Sequence, residues 1–195
     1  MKPLTLRLGL ILLLSALPLS AQVDDVVGKL KTTVRQVLSV LEDTAGEPEA
    51  RRVAAVRAVI GERFSYQLIA RGALGRGWTR LDANQQEQYV DLFTDLVVTT
   101  YMDRYTSDEP PAIEWGEVTR LSEKRLEVES SVMVGGSPAT VVYRLLRYKG
   151  DWQVYNLTIE GVSLVGNYRE QFAEILNRGG PEAVLQTLRE KLENA

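Results

Sequence analysis

Histidine and cysteine are both missing from the 195 residues. Without them there is no serine–histidine or cysteine–histidine nucleophilic machinery, and none of the usual zinc ligands. Carboxylates remain able to do general acid–base work. Most of the 26 acidic residues, however, fall in loops or opposite apolar stripes, as on a solvated surface. Glu160 stands apart, ending a strand-like run beside Gly161. Its expected role is structural, accepting backbone N–H groups where a strand gives way to a helix. Gly72, Gly75 and Gly77 invite a phosphate-loop reading, but no strand precedes them, no Gly-Lys-Ser/Thr occurs, and no helix N-terminus follows at once. A helix end and a tight turn account for them better. Arg51, Arg52 and Arg57 recur on the outward side of a helical stripe and read as a solvated face.

The elements that would position any site are organised around Asp151 to Phe172. Trp152, Val154 and Asn156 alternate with Gln153, Tyr155, Leu157 and Ile159 at the two-residue period of a strand. After Gly161 and a plausible N-cap at Ser163, Val165, Tyr168, Phe172, Ile175 and Leu176 follow the helical period. Upstream, apolar stripes predict helices over 24–42, 48–60 and 64–71, and a long one opening on the capping box of Asp82 and Gln85 and ending near Tyr105. The acidic loop 107–111 then leads into strands over 113–121, 124–134, 139–148 and 151–159, joined by Gly135–Pro138 and Lys149–Asp151. Gly179, Gly180 and Pro181 precede a last stripe of Val184, Leu185, Leu188 and Leu192. The expected fold is α+β: a bent four-stranded antiparallel sheet covered on one face by about six helices.

Residues 1–21 read as a secretory signal peptide, with Lys2 and Arg7 before an apolar run and Ser20-Ala21 at its exit. Residues 22–195 form the single expected domain, exported and soluble, with no lipoprotein cysteine. The formal charge of −3 becomes −5 once those two basic residues are removed. An acidic balance argues against nucleic acid as a partner and against tight adsorption to anionic lipid. Six helical stripes and the inner face of a sheet must be buried together. A filled core and a core left open as an apolar cavity have the same composition, and periodicity alone does not separate them.

The run from Val154 to Phe172 (VYNLTIEGVSLVGNYREQF) resembles the signature of the MlaC, or toluene-tolerance, family. Leu74-Gly75-Arg76-Gly77-Trp78, followed by Gln86, Tyr89, Phe93, Thr100 and Tyr101, carries a second likeness. The similarity extends over essentially the whole chain after the leader. Asn156 stands where an acidic residue is expected, and Gly166 where alanine is common. The resemblance implies a periplasmic phospholipid carrier whose sheet and helices enclose a cavity for acyl chains. It implies no cofactor, only a diacyl phospholipid as cargo. The implied partners are an outer-membrane lipoprotein–porin complex and an inner-membrane ABC transporter with a substrate-binding ring, the carrier itself acting as a monomer.

The facing pattern assigns the cavity wall to Leu126, Val128, Val132, Val141, Tyr143, Leu145, Trp152 and Val154 of the sheet, and to Phe93, Val97, Tyr101, Val165, Tyr168 and Phe172 of the helices. On that assignment Val128→Glu or Val132→Glu would abolish lipid retention in a folded protein. Three rivals stand beside the carrier. One is a small enzyme on a cone-shaped α+β fold with a buried carboxylate, another a non-carrying adaptor with a filled core, and the third a carrier of another lipid such as a hopanoid.

Overall fold

The computed structural model describes residues 19–102, 111–134 and 137–194. Residues 1–18 of the expected leader, the expected helix end near Tyr105, loop residues 107–110, and Gly135 and Gly136 lie outside them. Among the described residues the order is α1 (Leu19–Asp43), α2 (Glu49–Ile60), α3 (Tyr66–Leu74), a 3-10 turn (Gly75–Arg80), α4 (Ala83–Met102), β1 (Ile113–Ser122), β2 (Arg125–Val134), β3 (Ser137–Tyr148), β4 (Asp151–Ile159), β5 (Val162–Ser163) and α5 (Leu164–Glu193). The strands form one antiparallel sheet in the order β1-β2-β3-β4-β5.

Both element counts differ from expectation. Among the described residues the sheet has five strands, because Val162 and Ser163 pair back onto Ile159 and Thr158. The chain reverses there through Glu160 (φ 49°) and Gly161 (φ 77°), the left-handed pair that a two-residue hairpin demands. Two paired residues are too few to show a period. Among the described residues the helices number five, because the stripes over 163–176 and 182–192 belong to α5, broken only at Gly180 (φ 70°, ψ −166°) ahead of Pro181.

Local chemistry fixes the helix starts. In the capping box, Gln85 N–H donates to Asp82 Oδ1 (2.8 Å) and Asp82 N–H to Gln85 Oε1 (3.1 Å). Ser65 Oγ accepts from Leu68 N–H at α3, and Ser163 Oγ from Gly166 N–H at α5. Asn156 is only 5% exposed and completes the α5 cap, its Oδ1 accepting from Val165 N–H at 3.1 Å while its amide pairs with the Ser163 hydroxyl. A neutral amide thus serves the helix N-terminus where the family resemblance suggested an acid. Asn156→Ala strands that N–H in the interior, so denaturant titration should show a loss of about 1–3 kcal/mol. Asn156→Asp, which keeps the acceptor, should lose less.

The 3-10 turn shows what the glycines are for. Gly77 is buried, and a Cβ there would collide with Leu176 Cδ1 and lie 3.1 Å from Leu74 Cγ. Leu176 is itself 3% exposed and has little room to yield. Gly77→Ala should therefore cost about 1–3 kcal/mol through overpacking. An unchanged melting temperature would remove this reason for a glycine.

Three apolar clusters hold the elements together. Trp78, Tyr89, Phe93, Tyr168 and Phe172 join α4, α5 and the 3-10 turn, with Phe93 meeting Tyr168 edge-on at 5.0 Å and stacking on Tyr89 at 5.6 Å. Val26, Val27 and Leu30 of α1 pack on Leu126, Val128, Leu145, Trp152 and Val154 of the sheet. Leu41, Val53, Val56, Val98 and Met102 tie α1 and α2 to α4.

Candidate functional site

Where the three clusters meet, the interior is not filled. A cavity of about 250 Å³ opens there. From α1 it is walled by Val34, Val37, Leu38 and Leu41, and from α2 by Val56 and Ile60. Phe64 comes from the segment before α3, Tyr66 and Ile69 from the start of α3, and Phe93, Thr94, Val97, Val98, Tyr101 and Met102 from α4. Val141 and Tyr143 of β3, Leu157 of β4 and Leu164 of α5 close it. None of these wall residues is charged. Such a wall stabilises a ligand by removing apolar surface from water and offers ionic groups no partner.

Of the residues that the facing pattern assigned to the wall, Phe93, Val97, Tyr101, Val141 and Tyr143 lie on it. Leu126, Val128, Leu145, Trp152 and Val154 instead seat α1 against the sheet. Val165, Tyr168 and Phe172 stand behind Phe93 in the aromatic cluster. Val132 is half-buried between Ile113 and Ala139, off the wall. Val128 is completely buried, so a carboxylate there has no cavity to enter and should unfold the protein rather than report on a ligand.

Leu157 was assigned to the strand face opposite Val154. A bulge in β4 overturns strict alternation: Leu145 pairs with Val154 and Tyr143 with Leu157, so Leu157 reaches the cavity side. Nothing in the sequence marks that extra residue. Phe64 is set by a different device. Val154 N–H donates to Arg63 O and Ser65 N–H to Val154 O, a short parallel bridge along the β4 edge beyond β5.

Charged groups gather outside the wall, beside the hydroxyl of its Tyr66. Arg57 of α2 reaches Asp95 at 2.6 Å and Asp91 at 3.0 Å on α4, and its guanidinium lies 5.6 Å from the Tyr66 ring. Burial alone would lower the Arg57 pKa, but hydrogen bonds to Asp91 and Asp95 outweigh it and hold the pKa above its ordinary value. The Tyr66 hydroxyl donates to Arg57 O, and burial pushes its pKa up to about 12. Burial also raises Tyr143 and Tyr89. A phenol whose folded pKa exceeds its unfolded value gives stability that is complete below pH 10 and lost as pH rises through the folded pKa. Denaturant midpoints should thus hold from pH 8 to pH 10 and fall between pH 10 and pH 12, and Tyr66→Phe should lessen the fall.

Glu160 is exposed and accepts a hydrogen bond from Thr140 N–H, while its own N–H donates to Thr140 O at 2.9 Å. Its role is structural, and the N–H it accepts belongs to β3, so it ties the β4–β5 turn to that neighbouring strand and not to the start of α5. Among the described residues no group of His, Cys, Asp and Glu could hold a metal ion, and no helix is long and apolar enough to cross a membrane.

The family model described as MlaC protein matches residues 31–190. The chain belongs to the MlaC family. A comparison with curated proteins gives no match. Seven solved chains match. One is the phospholipid-binding protein from Ralstonia solanacearum, solved in complex with a phospholipid. It is 26% identical, with a TM-score of 0.78 over 86% of this chain and 96% of that one.

Proposed function

We propose that this MlaC-family protein is a soluble periplasmic carrier that holds the acyl chains of a diacyl phospholipid in the cavity and leaves the headgroup at its mouth. It works as a monomer, with residues 22–195 as one lipid-binding domain released from its leader. The observation that carries this reading is the uncharged wall, in a fold similar to that of a protein solved with a phospholipid. Exposing a methylene to water costs about 0.8 kcal/mol, so roughly thirty tail carbons would cost over 20 kcal/mol to cross water bare. Donor and acceptor are the outer-membrane lipoprotein–porin assembly and the inner-membrane ABC transporter complex, in either direction. No covalent step is needed.

The cavity of about 250 Å³ is smaller than the roughly 300–1,000 Å³ of ordinary small-molecule pockets. Two tails therefore require it to widen. The seam that can part runs between the α1–α2 pair and α4, joined by one small apolar cluster, the Arg57 ion pairs and a hydrogen bond from the Thr99 hydroxyl to Glu49.

Native mass spectrometry of the exported protein, beside lipid extraction, tests the reading. A bound mass matching a diacyl phospholipid supports it. A hopanoid mass would reassign the cargo, and a protein that stays empty after incubation with phospholipid vesicles would overturn the carrier.

A further inference from the structure

The net charge, −3 for the full sequence and −5 without residues 1–21, conceals an uneven distribution. The β1–β2 turn and the β3–β4 turn lie at one end of the sheet, where Arg125 pairs with Leu146 and Arg147 N–H donates to Lys124 O. Arg120, Lys124, Arg125, Arg147 and Lys149 all stand exposed there. Two carboxylates accompany them in these turns. Asp151 is held by Arg63 at 3.0 Å, which leaves Glu123 alone against five cations. Arg144, the next cation along β3, is matched by Glu127 at 2.6 Å and adds nothing to the excess.

An apolar side chain projects from the same end. Leu121 sits in the β1 bulge between Arg120 and Ser122 and is 50% exposed. Tyr148 is half-buried, with the Lys149 ammonium 5.3 Å from its ring. Cations beside a protruding leucine and a tyrosine are what the boundary between lipid headgroups and acyl chains selects. An acidic protein surface would explain the cations but would gain little from Leu121.

We infer that these two hairpin turns form a docking surface for an anionic phospholipid bilayer. The surface is separate from the cavity, since Tyr143 lies four residues up β3 from Arg147, on the order of 13 Å at the rise of a strand. Docking there is therefore independent of cargo and holds the carrier at a membrane without using the cavity wall.

Vesicle sedimentation of the exported protein tests this, using neutral phosphatidylcholine and an equal mixture of phosphatidylcholine with phosphatidylglycerol. Binding to the mixed vesicles is expected at low salt, falling as salt shortens the screening length from about 10 Å at 0.1 M to about 3 Å at 1 M. Each cation removed should weaken it about fivefold, so Lys124→Glu with Arg147→Glu should lower it by more than tenfold. Leu121→Ser should weaken it several-fold at any salt. These exposed substitutions should leave melting temperature and co-purified lipid unchanged, so failure here is distinguishable from failure of the carrier reading. Equal binding to neutral vesicles, no vesicle binding, capture by polyglutamate in place of vesicles, or binding unchanged in the variants would each overturn the inference.

Discussion

Val97→Glu should empty the cavity and leave the fold standing. Val97 lies on α4 in the cavity wall and is only partly buried, unlike Val128. A glutamate there can turn its carboxylate toward water when no ligand is bound, which limits the cost to folding. A bound acyl chain removes that outlet, and the charge must then be desolvated or the lipid expelled. A difference of about 3 kcal/mol between those states corresponds to roughly a hundredfold loss of retention. Native mass spectra and lipid extraction would read the occupancy, and a thermal melt would confirm folding. Val97→Met, similar in polarity but larger, should retain lipid. Full occupancy in a folded Val97→Glu protein would place the acyl chains somewhere other than this cavity.

The contrast between Val97 and Val128 marks how far the sequence could be read. Helix starts were legible because they are local: Asp82 with Gln85, and Ser163 with Gly166, satisfy groups three residues away. The β2–β3 pairing was legible from alternation and the glycines, but its register was not: the expected turn over 135–138 would set Val134 opposite Ala139, whereas Ser137 and Pro138 join β3 and Val134 pairs with Ser137. Which apolar side chains remain in contact with one another, and which face a void, is a property of three elements at once. Val37 and Leu38 belong to a stripe with the same period as Val26 and Val27, yet the first two face the cavity and the last two meet the sheet, while Val34 borders both. One extra residue in β4 was enough to move Leu157 to the other face. The fold was therefore more legible than the wall, since periodicity says which side is inward and nothing about how well the inside is filled.

Phe172→Ala bears on that last distinction, and its expected effect is on stability. Phe172 is 1% exposed, 5.7 Å from the rings of Tyr89 and Tyr168 and 5.8 Å from that of Phe93. Removing it opens a hole in a packed aromatic cluster and should cost about 3–5 kcal/mol. For a protein of this length that is a fall of about 6–20 °C in melting temperature. It is also a large share of a total stability of about 5–15 kcal/mol. Val97→Ala removes atoms that already border the cavity, creates little new void, and should cost about 1 kcal/mol. Each variant should be measured with and without bound lipid. Loss of Phe172 should lower the stability of both forms by nearly the same amount, because its contacts are with protein. Were Phe172 an acyl-chain contact, as its helical stripe alone suggested, Phe172→Ala would weaken lipid retention and spare the lipid-free fold. The size of the shared loss thus tells the aromatic cluster that supports Phe93 from the surface that Phe93 presents to the cavity.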